Sequence, residues 1–230
     1  MPEPVILHKK IHELGIEPSE IIGYMSPGEV TDIDFFTDLA ASELVQLSDQ
    51  TVLGGYMVLP ATLENKLLKI SNTVFDVGDD VSLMLKSVEK IAVFACTVSS
   101  ELNEVLENEK NNVDMLQSYL LDIIGTVVAG KIAEVLHQNI TKEFSNVSVT
   151  NTISPGNCGW PVEDQKKLFS LLPPGFLNIS LNPSGMMHPV KSLTGMIGIG
   201  TKVKFKQTEC RYCRSRNCPY RKEEYAGKKL

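Results

Sequence analysis

"TISPGNCGWPVEDQKKLFSLL", residues 152–172, opens on a run that no helix or strand interior tolerates. Between Thr152 and Pro161 it holds Pro155, Gly156, Gly159, Pro161, Cys158 and the single tryptophan of the chain, Trp160. Proline removes a backbone donor and fixes φ, while glycine frees it, so the segment reads as a rigid loop. Pro155 followed by Gly156 makes a turn whose N–H and C=O groups are left unpaired by regular structure and are available to grip a small polar ligand. Trp160 presents a flat face that either stacks on a purine ring or a sulfonium cation, or plugs the core. A short helix over 163–172 follows.

Downstream, "PPGFLNISL" (173–181) reads as a turn and a strand, and "NPSGMMHPVKS" (182–192) as a second rigid loop. "LTGMIGIGTKVKFK" (193–206) reads as a glycine-spotted strand. Upstream, "VSVTNTI" (147–153) has strand composition. The segment before it, 111–144, is the clearest helix: Val113, Leu116, Leu120, Ile123 and Val127, with Ile124, Val128, Ile132 and Val135, form a wide apolar stripe at helical spacing. Within it Gly125, Ala129 and Ala133 recur every four residues, which admits either a closely packed strand or a flat ligand. "KIAVFACTV" (90–98) is a continuous apolar run suited to a strand buried on both faces. Helices are expected over 99–108 and, behind an aspartate cap at Asp79 and Asp80, over 81–90. Residues 1–60 read as mixed short helices and strands. The pattern predicts an α+β fold, long helices on a mostly antiparallel twisted sheet, in one domain over 1–205 with a tail over 206–230.

Composition narrows the class. With 43% hydrophobic and 22% charged residues in 230, the chain has enough apolar mass for a proper core. The longest apolar segment carries Asp122, Lys131 and Glu134 and falls short of the ~20 clean residues a bilayer requires, so a cytoplasmic, membrane-independent protein is expected. Lys202 to Leu230 holds ten Lys or Arg against three Glu, +7, which leaves −13 on the rest of a chain whose net charge is −6. That tail lacks aromatic-interleaved basic repeats, so nucleic acid is not the expected partner. No dinucleotide fingerprint, phosphate loop, nucleophile elbow or H-E-x-x-H pair occurs, and no catalytic residue is assigned. Cys210, Cys213 and Cys218 form C-x2-C-x4-C, a spacing that lets three thiolates converge on zinc or an iron–sulfur cluster, with Cys158 as the candidate fourth ligand. The neighbouring arginines equally suit a redox thiol.

The first loop, followed by "NPSGMMHPVKSLTGMIGIG" (182–200), resembles the paired loop motifs of the activation domain of cobalamin-dependent methionine synthase, and of its free-standing bacterial homologues. "KIAVFACTVSSELNEVLE" (90–107) and "YLLDIIGTVVAGKIAEVLHQNI" (119–140) resemble that family's buried strand and long helix. The similarity spans roughly residues 60–205. It implies an S-adenosylmethionine groove lined by Ser154, Gly156, Asn157 and Trp160, with His188 and Lys191 on the opposite lip. It also implies an accessory protein that docks on a corrinoid protein or a split methionine synthase, with cobalamin supplied by that partner and an electron-donor protein as a further partner, and that supports reductive reactivation and methylation. Where the family carries an arginine and acidic helix residues, this sequence has Thr152, Thr126 and Gly130. A docking scaffold that has lost the ligand and keeps a structural zinc or a cluster is the alternative expectation.

Overall fold

The computed structural model describes residues 2–25, 32–109 and 114–205. Its centre is β5 (Lys90–Val98), the strand expected from the apolar run. Ala92, Phe94, Cys96 and Val98 point to one core, and Ile91, Val93 and Ala95 to another on the opposite face. Two-sided burial is why the run shows no polar alternation. Burial also pushes the Cys96 thiol well above its ordinary pKa, so it behaves as a small apolar side chain.

β5 pairs antiparallel with β2 (Thr51–Glu64) on one side and β9 (Ser192–Gly200) on the other. β2 is long enough to hold two partners on its far edge: β1 (Val5–Lys10) beside its first half and β3 (Leu67–Ile70) beside its second. Pro60 lies between those two contacts. Its carbonyl accepts from the Ser71 N–H on that edge, so its missing N–H faces the gap, where no ladder bond is lost. The hairpin closes with β4 (Thr73–Asp76), and the short β6 (Ser148–Val149) flanks β9. Every pairing is antiparallel, giving a seven-stranded sheet among the described residues and the α+β class expected from the sequence.

One face carries the helices α1 (Pro18–Ile22), α2 (Ile33–Gln46), α4 (Ser100–Glu109) and the 29-residue α5 (Met115–Glu143). α5 starts where the Asp114 carboxylate accepts from the N–H groups of Leu116 and Gln117. It lies against β2 at Gly54, where a Cβ would come within 2.9 Å of Ile132 Cγ1. On the other face Gly55 admits the Phe176 ring, and a Cβ there would lie 2.7 Å from it. The glycine pair thus lets both layers close on the same strand. The second face carries α3 (Gly78–Met84), α6 (Gln165–Phe169) and the loop 150–161.

Several expectations are corrected in detail. α3 starts at Gly78, so Asp79 and Asp80 lie in its first turn instead of capping it, and the Gly78 N–H bonds the Asp76 carboxylate. The 163–172 helix is a 3-10 turn plus the five-residue α6. Within 1–60 stand a 14-residue helix and the start of a 14-residue strand that runs on to Glu64, longer than the short elements expected. Among the described residues no helix is long and apolar enough to cross a membrane.

Candidate functional site

The loop 150–161 is fastened to the edge of β9 at two points. Thr150 donates its N–H to the Gly198 carbonyl at 2.8 Å and accepts the Gly198 N–H on its hydroxyl at 2.8 Å. Ile153 and Met196 exchange two backbone bonds of 2.8 Å. Between Ile153 and the strand there is no room for a side chain, since a Cβ on Gly195 would meet Ile153 O and Ser154 Oγ at 2.7 Å. Two turns follow. Ser154-Pro155-Gly156-Asn157 closes with Asn157 N–H to Ser154 O at 3.0 Å, with Gly156 at φ 93, a type II turn. Asn157-Cys158-Gly159-Trp160 closes at 2.9 Å with positive φ at Cys158 and Gly159, a type I′ turn.

Trp160 resolves the choice that the sequence left open. It is 1% exposed, its ring sits edge-on to Phe75 with centroids 5.8 Å apart, and its indole N–H donates to the Asp164 carboxylate at 2.8 Å. Its ring is therefore a core plug that fixes the turns, and the expected stacking role in the groove does not fit a buried ring. Ser154 is half-buried, and Gly156 and Asn157 are exposed. Among the described residues nothing bonds the Ser154 N–H, the Ser154 hydroxyl or the Gly156 carbonyl. They are the polar groups a ligand would meet.

α5 meets the start of this loop. At its C-terminal end His137 Nε2 lies 2.8 Å from Thr150 O. Toward its N-terminal end the Lys191 ammonium donates to Thr126 Oγ1 at 2.8 Å and pairs with Asp122 at 2.9 Å. The Lys191 stem fills the notch at Gly125, its Cγ 3.0 Å from where a Cβ would stand. The small-residue face of α5 is thus closed at Gly125 by a side chain rather than by a strand. Farther along, Gly130 opens onto a cleft of about 200 Å3, bounded by Tyr24, Glu20 and Glu134. There Lys131 bonds Glu20 at 2.6 Å, and that bond raises the pKa of Lys131. Thr126, Ala129, Gly130 and Ala133 are uncharged and are flanked by two ammonium groups, Lys191 and Lys131, that are each already paired.

His188 and Lys191 do not converge. His188, exposed in β8 (Met187–His188), lines a separate cleft with the start of α4, whereas Lys191 reaches α5. Cys158 is half-buried and packs against the core on the α3 and α6 face of the sheet. The other expected metal ligands, Cys210, Cys213 and Cys218, and the tail 206–230 lie outside the described residues. Among the described residues no group of three potential ligands converges on a metal position. Asp122, Thr150 and His137 were not singled out as site residues by the sequence. Their partners lie 13 to 69 positions away, and no local signal marks them.

No family model matches the sequence, and no curated protein matches it. Among solved structures, the chain is similar to the crystal structure of the MetH reactivation domain bound to AdoHcy. The TM-score is 0.69 at 15% identity, and the match covers 89% of this chain and 81% of that chain. The fold is that of the MetH reactivation domain. The expected resemblance is met at the level of architecture, and the reactivation-domain fold extends well into the N-terminal region that the sequence motifs left outside it.

Proposed function

We propose that this chain is an S-adenosyl-ligand-binding accessory protein that docks on a corrinoid protein or a split methionine synthase and supports its reductive reactivation and methylation. The observation that carries the reading is the loop itself. A reactivation-domain fold presents Ser154 and Gly156, with backbone groups that no described residue bonds, on a loop whose Thr150 carbonyl meets His137 of α5. Backbone donors and acceptors of this kind suit the polar edges of an adenosyl group. The methyl donor, when bound, supplies the methyl group; the chain's own residues hold and orient it and leave the cobalt chemistry to the partner.

The charge arrangement bears on which S-adenosyl ligand is held. Asp122 is paired with Lys191, and Glu20 and Glu134 share Lys131, so a sulfonium finds no carboxylate on this strip without an ammonium beside it. A neutral thioether loses nothing by that arrangement. Calorimetry with S-adenosylmethionine and with AdoHcy tests the reading: heat with at least one at millimolar concentration is expected, and AdoHcy binds at least as well. A folded protein that gives no heat with either ligand overturns it. That outcome leaves the second reading, a ligand-free docking scaffold, which the Lys191–Asp122 pair favours. Docking is tested by mixing with a Co(II) corrinoid domain and following its visible spectrum.

The cysteine set Cys158, Cys210, Cys213 and Cys218 is proposed as a zinc or iron–sulfur site, with electron delivery as the role of a cluster. Metal analysis and a visible absorption spectrum test it. A colourless, metal-free protein in which all four thiols react freely removes it.

A further inference from the structure

Six polar side chains are buried among the described residues: Glu43, Thr97, Ser99, Asn103, Thr150 and Thr194. Five have partners. Glu43 accepts from Gln117, Thr97 bonds Ser192, the Ser99 hydroxyl accepts from the Leu102 N–H, Thr150 bonds Gly198, and Thr194 donates to the Phe94 carbonyl. Asn103 is the exception. It is 7% exposed, and among the described residues its carboxamide has no hydrogen-bond partner. A buried amide left unpaired costs free energy, so its partner is expected from outside the chain.

Asn103 lies in the wall of a cleft of about 330 Å3 that is distinct from the loop 150–161. Leu53, Val98 and Leu177 supply apolar wall, and the exposed Glu101 and Glu104 stand at the rim. Hydrogen bonds from its own backbone N–H, then from Ser99, hold the Glu101 carboxyl below the ordinary glutamate range, with a smaller pull from Lys10, so two carboxylates stand at the rim, with His188 as the other titratable group of the lining. The space suits one ring with a polar substituent. A carboxamide offers a donor and an acceptor side by side, and its complement is the same pair reversed: a primary amide, or the amino and N7 edge of adenine.

We propose that this cleft binds a small uncharged molecule through an amide-like edge, one N–H donor beside one acceptor, paired with the carboxamide of Asn103. Carboxylates are rejected by the negative rim and by the lack of a donor pair on Asn103. The inference is independent of S-adenosyl binding.

The test uses the full chain and an isosteric series of probes: benzamide, benzamidine and benzoate, with adenosine as a separate arm. NMR titration follows the Asn103 side-chain amide protons. Benzamide is expected to shift them saturably with a millimolar dissociation constant and to bind at least about tenfold better than benzoate. Saturable binding of adenosine as well assigns the site to a ring edge; binding of benzamide alone assigns it to a primary amide of a larger molecule. In Asn103→Asp the donor is exchanged for an acceptor, and the affinity ratio of benzamidine to benzamide rises by about tenfold or more. No saturable shift with benzamide or adenosine, benzoate binding as well as benzamide, or an unchanged ratio in Asn103→Asp each overturns the proposal. If that variant does not fold, the wild-type ranking decides alone.

Discussion

Lys191→Met isolates the charge at the α5 strip. Methionine keeps the unbranched stem that fills the Gly125 notch, so packing is largely retained and the ammonium alone is removed. What is lost is a bond of 2.8 Å to Thr126 and an ion pair of 2.9 Å to Asp122. A charge-assisted hydrogen bond contributes about 1.5–3 kcal/mol when desolvated. The Lys191 side chain is 12% exposed but Asp122 is 48% exposed, so solvent takes back much of that, and a loss of about 1 kcal/mol is expected. For a chain of this length that is a fall of about 2–4 °C in Tm. The double-mutant cycle with Asp122→Asn should recover about 0.5–1 kcal/mol of coupling. Ligand preference supplies the stronger check. Removing the cation leaves a carboxylate beside the strip, worth about 1–2 kcal/mol to a sulfonium some 8 Å away at an effective dielectric of about 20–40. Calorimetry should therefore show the affinity ratio of S-adenosylmethionine to AdoHcy rising about 5–30-fold. A ratio unchanged within about twofold in a folded variant refutes the charge argument. A coupling energy below about 0.3 kcal/mol refutes the ion pair itself.

Gly195→Ala forces a Cβ to within 2.7 Å of the Ile153 carbonyl and the Ser154 hydroxyl, so the loop must detach or the strand shift. A loss of about 2–3 kcal/mol by urea denaturation is expected, together with loss of S-adenosyl heat; Gly130→Ala, which meets open space in mid-helix, should instead stabilise by about 0.5–1 kcal/mol. Trp160→Phe removes the bond to Asp164 and part of the contact with Phe75, and should lower stability by about 2 kcal/mol while raising the mobility of residues 154–159 in hydrogen exchange. Tyr56 gives a pH signature. Burial, then its bond to Glu143, pushes the phenol above its ordinary pKa of 10, so its stabilising contribution is complete below pH 10 and is lost as pH rises through the raised value. Above pH 10 the wild type should lose about 1.4 kcal/mol per pH unit more than Tyr56→Phe, and equal slopes would contradict this account.

The parts of the fold legible in the sequence are those whose pattern is local. β5 stands where its apolar run stands because a strand buried on both faces needs nothing but apolar side chains, and α5 follows its own stripe and its Asp114 cap. The turn chemistry of Ser154 to Trp160 is equally local, since Pro155, Gly156 and Gly159 dictate φ wherever the chain places them. β2 was harder. Gly54 and Gly55 weaken strand propensity, and they are needed only because α5 and Phe176 press on β2 from opposite faces, which a one-dimensional reading does not contain.

The site divides the same way, and the division explains where function was misread. His188 and Lys191 are three residues apart on one loop, so the sequence suggests one lip. His188 ends β8 and Lys191 directly precedes β9, and Lys191 turns to a helix residue 65 positions upstream while His188 lines the cleft of Asn103. Thr126 and Gly130 looked like losses, positions where a carboxylate was missing. In three dimensions the strip carries a charged pair at that end: Lys191 brings an ammonium to Thr126 and Asp122 answers it. Each carboxylate along the strip already has an ammonium beside it, and the ratio measured in Lys191→Met decides whether that pairing concerns the ligand at all.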